Sequence, residues 1–322
     1  MKSLGLQKVW KKVWTAWQDF WFSPVPLLNL ALFRILLAGT LAAQYISRQF
    51  DVSLFYTDQG ILPKALSLKV LPENYRPFAI FSFWPDSWVP FVHATFVLLL
   101  LCLCLGIGNR LIALTASFLH LAFIHRNYGI AFGADQVGGI FLIYLSFTNC
   151  NQRLSVTSFL KQKIARAQEP MESPQSDLLT SIFYRMIQIQ LCVIYAYSGM
   201  EKLKGQTWWD GTALWSVFAN PQMVIGNFLW LRHFPFLIVF LSFSTLLFEI
   251  YFPVLVWVKT LRKPALIVGL MFHLGIGFVM ALWSFSLVML APYLLFLDIS
   301  EAGLSRIETL FTKWIRNPAI SP

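Results

Sequence analysis

Charged residues are scarce in this chain: Asp, Glu, Lys and Arg together make up 12% of its 322 residues, against roughly 25% in soluble domains. So few charges cannot clothe a water-facing globule of this size. Cysteine is rare too. Cys102, Cys104, Cys150 and Cys192 show no zinc-ligand spacing, and three lie inside apolar runs, so no metal is indicated and no disulfide framework is expected. The long apolar runs lack alternation of apolar and polar residues, which excludes the strands of a membrane barrel. No small-residue cleavage site follows the first apolar run, so no cleavable signal peptide is expected. No internal repeat of the kind that builds inverted transporter halves is visible.

What is present is apolar surface. Hydrophobic residues make up 57% of the chain, with 30 Phe and 13 Trp, and mean hydropathy is +0.62. Runs of roughly 20 apolar residues recur, each long enough to cross a hydrocarbon core about 30 Å thick. Within that core every backbone N–H and C=O must be paired inside its own segment, which leaves helices. The expected fold is therefore all-α: a polytopic integral membrane helical bundle of about eight transmembrane helices, at 26–47, 87–107, 110–125, 131–149, 180–203, 235–258, 264–282 and 284–298. Residues 1–22 read instead as an interfacial amphipathic helix. Trp14, Trp17 and Trp21 share one face, and Lys8, Lys11 and Lys12 lie nearby. The domain organisation is then 1–22, a transmembrane domain at 25–298 interrupted by a polar linker at 150–178, and a tail at 299–322. The aromatic, turn-rich segment 204–234 rests on the membrane or re-enters it.

The formal net charge is +10. In a membrane chain the positive-inside rule accounts for it more simply than nucleic acid, and no nucleic-acid partner is expected. With eight spans, 15 of the 25 Lys and Arg fall on the side of both termini and 8 on the other, with Arg34 and Arg185 inside spans. That bias places the N and C termini in the cytoplasm and segments 48–86 and 204–234 on the outer face.

The informative residues are polar ones in apolar surroundings, because a charge at the bilayer centre costs about 2.5–3.5 kcal/mol on insertion scales. In the fifth span Arg185, Gln188, Cys192, Tyr195, Gly199 and Lys202 follow steps of three and four, so they share one face. That stripe is either a polar seam between helices or one wall of a polar cavity. A lysine and an arginine are costly as seam, which favours the cavity. Glu249 precedes Pro253 by four residues, so the carbonyl at 249 loses its amide partner; the acid and the free carbonyl form either a proton or cation site or one half of an ion pair with Arg34 or Lys202. His273 stands between Gly269 and Gly277 and is either an interhelical donor or a proton carrier. Arg34, in an otherwise apolar helix, needs an acid, and Asp135 or Glu249 is its expected partner.

These residues sit in motifs that resemble a known family. The segment Tyr195-Ala-Tyr-Ser-Gly-Met-Glu-Lys-Leu-Lys-Gly-Gln-Thr-Trp-Trp-Asp-Gly211 resembles the signature of the horizontally transferred transmembrane (HTTM) domain, which is shared with vitamin K-dependent γ-carboxylases. Phe55-Tyr56-Thr57-Asp58-Gln59-Gly60-Ile61-Leu62-Pro63, Leu32-Phe33-Arg34, and Glu249 followed by His273 fit the same family. The resemblance implies a reduced quinone as cofactor and a peptide or protein as substrate, with membrane lipid around the domain. It casts Lys202, rather than Lys204, as the base for the hydroquinone oxygen, since a lysine in a dry cavity can titrate near 7. Glu249 and His273 would orient it or relay protons, with Arg34, Asp135, Arg185 and Tyr195 in support. Asp135 stands where the carboxylases carry a histidine that assists the lysine, and the chain stops soon after its last span, where they add a lumenal domain. Other members of the family serve peptide-toxin maturation. The alternatives to a carboxylase-like enzyme are thus a non-enzymatic membrane partner in maturation, export or immunity for a secreted peptide, and an ion-coupled transporter built on Glu249 and Pro253.

Overall fold

The computed structural model describes residues 2–79, 84–108, 110–165 and 175–299. The tail from 300 onward and residues 166–174 of the polar linker lie outside the described residues. Every regular element described is helical. The chain divides into two compact units: 1–130 with 139–186 and 297 onward, and 131–138 with 187–296.

Among the described residues five helices are long and apolar enough to cross a membrane: Leu27–Ser47, Asp86–Leu105, Leu178–Lys202, Pro235–Leu255 and Lys259–Met280, with mean hydropathy between 1.4 and 2.3. Three other expected spans form shorter helices, Arg110–Arg126 of 17 residues, Gly133–Ser146 of 14 and Trp283–Leu290 of 8. At 1.5 Å per residue the first two rise about 25 and 21 Å. Large apolar side chains on the long helices point outward, among them Phe236, Val254, Ile267, Met271 and Phe278. In water such surface costs about 25 cal/mol per Å²; facing lipid it costs nothing, so these helices contact the membrane.

In the first unit, α1 (Lys2–Phe22) carries Trp10, Trp14 and Trp17 exposed on its surface. Its end is latched to α9 (Leu178–Lys202): Arg185 Nε donates to the Phe20 carbonyl at 3.0 Å, and its guanidinium lies 5.1 Å from the Phe20 ring centroid. The core is built on α2 (Leu27–Ser47), whose Leu30, Ala31, Phe33, Leu37, Ala38 and Leu41 are wholly buried. Beside it runs α5 (Val89–Leu105), closed by Gly106 at φ +69. The left-handed residue returns amides to the orphan carbonyls of the last turn, Gly106 N to Leu103 O at 3.1 Å and Ile107 N to Cys102 O at 2.8 Å.

The motif around Asp58 is tied down by charge. Lys64 Nζ lies 2.6 Å from Asp86 Oδ1 and 3.7 Å from Asp58 Oδ2, and Arg126 Nη1 donates to the Leu62 carbonyl at 2.8 Å. The backbone leaves no room for a Cβ at Gly60, which sits against the Leu54 carbonyl. These contacts brace the loop that follows α2.

Asp177 caps the start of α9. Its Oδ1 accepts from Thr180 N at 2.9 Å, and its Oδ2 accepts from Arg110 Nη2 at 2.7 Å and Asn149 Nδ2 at 2.9 Å. Partial burial works to raise the Asp177 pKa, but the hydrogen bonds from Thr180 and Arg110 outweigh it and hold the carboxyl below its ordinary value. A depressed folded-state pKa means that stability is present above the ordinary carboxylate value and is lost as pH falls through the folded one. Asp177→Ala should cost about 0.5–2 kcal/mol at neutral pH. The gap in thermal midpoint between wild type and variant should shrink as pH is lowered from about 5 toward 3. A gap that stays constant across that range would remove Asp177 as a charged cap.

In the second unit, the latter part of α9 packs with α12 (Pro235–Leu255), α13 (Lys259–Met280), α14 (Trp283–Leu290) and the 3₁₀ turn Ala291–Phe296. Segment 204–234 forms α10 (Gln206–Trp209), α11 (Ala213–Phe218) and a 3₁₀ turn at Leu229–His233. Two glycines let these elements close up. A Cβ on Gly199 would stand 2.9 Å from Ile250 Cγ1 and 3.1 Å from Ile250 N, so α9 and α12 meet backbone to backbone beside Glu249. Gly269 on α13 leaves the space that the Tyr293 hydroxyl fills.

Candidate functional site

The polar stripe of α9 divides by role. Arg185, near its start, holds α1. Gln188 Nε2 donates to the Leu295 carbonyl at 2.8 Å, which ties α9 to the final 3₁₀ turn. From Tyr195 onward the stripe meets titratable partners instead.

Lys202, at the end of α9, places Nζ 2.7 Å from Glu249 Oε2 of α12. The same ammonium donates to Ser198 Oγ, one turn back, at 2.7 Å and lies 5.4 Å from the Trp208 ring centroid. The Lys202 side chain is 23% exposed and that of Glu249 5%, so the pair reaches the surface through the lysine. Lys204 is set apart from it: its Nζ lies 2.7 Å from Glu201 Oε1 on the open surface. Glu249, read from the sequence as a possible cation site, thus faces an ammonium group. Pro253 does lie within α12.

Deeper in the same unit, Tyr195 joins two partners. Its hydroxyl lies 2.6 Å from His273 Nε2 and 2.6 Å from the Tyr293 hydroxyl. All three side chains are buried. Phe252 stacks on Tyr293 with ring centroids 5.5 Å apart, and Phe248, the neighbour of Glu249, meets the Tyr195 ring edge-on at 5.3 Å. Ser286 Oγ donates to the His273 carbonyl at 2.8 Å, which fixes that turn of α13. This arrangement can pass a proton along Tyr293, Tyr195 and His273, while the Lys202–Glu249 pair can exchange one at the rim. Tyr293 escaped the sequence reading; the available signals were a phenol in an apolar run and a glycine, Gly269, with no turn to make.

The other expected residues make contacts to the backbone. Asp135, buried at the start of α7 (Gly133–Ser146), accepts from Phe132 N at 3.2 Å through Oδ2. Arg34 corrects the expectation of an acidic partner. Its Nη1 donates to the Cys150 carbonyl at 2.7 Å, Asn151 Oδ1 at 3.2 Å and the Arg153 carbonyl at 3.4 Å, and its Nη2 to the Leu154 carbonyl at 2.5 Å. Among the described residues no carboxylate pairs with it. A guanidinium has five donors in a fixed fork, so a turn of carbonyls can serve its two Nη groups as an acid would. Among the described residues no group of three or more His, Cys, Asp or Glu is placed to hold a metal ion.

Long apolar helices that enclose paired acids, bases and phenols define a multi-pass helical membrane protein. The HTTM domain family matches residues 22–300, and the chain belongs to that family. It is also similar to the sporulation-delaying protein SdpB of Bacillus subtilis (strain 168), 30% identical over 125 residues, which is 37% of this chain. The match covers 39% of that protein's length. No solved structure matches the chain.

Proposed function

We propose that the protein is a quinol-dependent enzyme that modifies a peptide or protein, set in the cytoplasmic membrane with eight crossings and both termini in the cytoplasm. The observation that carries this reading is the Lys202–Glu249 pair, 2.7 Å apart with the lysine partly open. Such a pair is poor glue, because charges brought out of water repay their desolvation badly. It is a serviceable proton-exchange site. The residues suit a reduced quinone: Lys202 offers a donor for an oxygen, and the face of Trp208 lies beside it. A reduced quinone, when bound, supplies the electrons with which O₂ is turned to the strong base that takes a proton from a substrate carbon. Lys202 Nζ gives its proton to Glu249 Oε2 and so frees a lone pair to accept one from a hydroxyl at the rim. Ser198 and Trp208 hold the lysine in place. Tyr195, with His273 and Tyr293 behind it, keeps the interior protonically connected. α1 lies in the headgroup layer, its Trp face toward the hydrocarbon.

The direct test is quinol oxidation by purified protein in lipid nanodiscs. Lys202→Ala, at matched folding, should lose at least about 100-fold in turnover, the usual worth of a general base. Undiminished turnover in that variant would sink the assignment.

A second reading, a non-enzymatic partner in the maturation or export of a secreted peptide, draws support from the likeness to the sporulation-delaying protein. It requires that well-folded wild type oxidise no quinol, and that Lys202→Ala lower abundance instead.

A further inference from the structure

Every residue of α1 from Lys8 to Asp19 is exposed, so this stretch stands clear of the core of the first unit. A helix of this length without packing is marginal in water. Trp10, Trp14 and Trp17 are 68%, 60% and 54% exposed, with Val9 and Val13 also open beside them. Steps of four and three set the three Trp on one face. Lys8, Lys11 and Lys12 lie on the roughly opposite face, where with Thr15, Ala16 and Asp19 they line a shallow groove of about 490 Å³. Three ammonium groups there stand against one carboxylate, so the groove is positive. The Thr15 hydroxyl is turned to its own helix and donates to the Lys11 carbonyl at 2.9 Å.

The two faces ask for different surroundings. Indole rings settle where headgroups meet hydrocarbon, and lysine stems lie along apolar surface while their ammonium groups reach for polar ground. A bilayer surface offers both within the roughly 10 Å thickness of a helix. A protein partner would have to cover opposite sides of α1 at once. The helix is held at one end. Arg185 fixes the Phe20 carbonyl, and Val25 N donates to Ser176 Oγ at 2.9 Å. Pro24 and Pro26 interrupt the hydrogen-bond ladder between α1 and α2, so α1 is not the outer end of a longer rod. The half that carries the lysines is left to settle on a surface.

We propose that the Lys8–Lys11–Lys12 face binds the phosphates of anionic phospholipids, and that it reads the charge of the leaflet rather than the shape of a headgroup. The proposal rests on the placement of α1 in the headgroup layer given above. An ammonium is a compact point charge without the planar fork that matches a phosphate bidentately, and the Thr15 hydroxyl proton is already spent. What remains is attraction to net negative charge. A zwitterionic lipid offers the same phosphate but cancels it with a cation of its own. The grip of α1 therefore follows the anionic content of the leaflet and weakens with salt.

Full-length protein is placed in nanodiscs of phosphatidylcholine alone and of phosphatidylcholine mixed with phosphatidylglycerol. Hydrogen exchange of amides 8–22 is followed by mass spectrometry. At low salt the phosphatidylglycerol should slow this exchange at least about tenfold, and salt at about 0.5 M should remove most of the effect. Lys8→Gln/Lys11→Gln/Lys12→Gln should exchange alike in the two discs at 8–22, with wild-type exchange at 235–255 to show that the bundle is folded. Equal exchange by wild type in the two discs overturns the proposal, as does a phosphatidylglycerol effect that survives in the triple variant. Protection conferred by inorganic phosphate in phosphatidylcholine discs would make the groove an ion site and overturns it too. Trp10→Ser/Trp14→Ser/Trp17→Ser separates the two readings. Equally slow exchange of wild type in both discs, lost in the Trp variant, keeps α1 in the headgroup layer and rejects charge selection. Fast exchange of wild type in both discs, unchanged in the Trp variant, rejects the placement and the proposal with it.

Discussion

Arg34→Met should leave little folded protein. The Arg34 side chain is wholly buried and gives hydrogen bonds to three backbone carbonyls and one amide oxygen in the turn 150–154. Leu154 in that turn has φ +44, a left-handed conformation that a branched side chain resists and that surrounding contacts must enforce. Gly106, at the end of α5, is shaped to the same guanidinium: a Cβ there would come within 2.8 Å of Arg34 Nη1. Methionine preserves the volume but strands the carbonyls. Each buried acceptor left without a partner costs about 1–3 kcal/mol, so the four together should remove at least roughly 4 kcal/mol from a total stability of about 5–15. Arg34→Lys should recover only part of this, because a point ammonium cannot serve the planar fork's several acceptors. The measurement is the monodisperse fraction after detergent extraction and its thermal midpoint. A wild-type midpoint in Arg34→Met would show that the turn holds itself.

The second large effect concerns Lys202 and Glu249 together. Glu249→Leu alone strands an ammonium and Lys202→Met alone strands a carboxylate that is 95% shielded by its surroundings, its side chain being 5% exposed. Breaking a buried pair from one side costs about 3–5 kcal/mol, whereas replacing both partners with apolar residues is often neutral or stabilising. The open lysine end of this pair lowers the expected penalty toward the bottom of that range. The double variant Lys202→Met/Glu249→Leu should therefore regain most of the midpoint lost in either single variant. Quinol oxidation should remain at least about 100-fold down in all three. Full recovery of both stability and activity in the double variant would make the pair a structural seam. Recovery of stability alone assigns it the chemistry.

How far the molecule was legible before its structure is clearest in α9. Steps of three and four put Arg185, Gln188, Tyr195 and Lys202 on one face, and the structure turns each of the four to a polar partner or an aromatic ring. Which stretch of that stripe is brace and which is site was not readable, because that depends on what each residue meets. Arg185 and Gln188 meet carbonyls, and a carbonyl belongs to every residue and leaves no mark in a sequence. The same blindness explains Arg34: an acid was sought because acids have letters, and four oxygens of a turn took the place instead. Lys202 was read as the family lysine on motif alone, while its pairing with Glu249, 2.7 Å away in the structure, stood as one of several options.

By itself, then, the sequence determined the class. Scarce charge and recurrent apolar runs leave helices in a bilayer as the stable outcome, since backbone groups in hydrocarbon must pair within their own segment. It also singled out the buried polar residues, whose cost in lipid makes them conspicuous. Tertiary structure alone decided the partners. Gly199 let α9 and α12 approach until Lys202 reached Glu249, and Gly269 made a place for the Tyr293 hydroxyl beside Tyr195. A glycine records only that a side chain is missing; whether the space goes to a helix or a phenol is settled by the neighbours that packing brings to it.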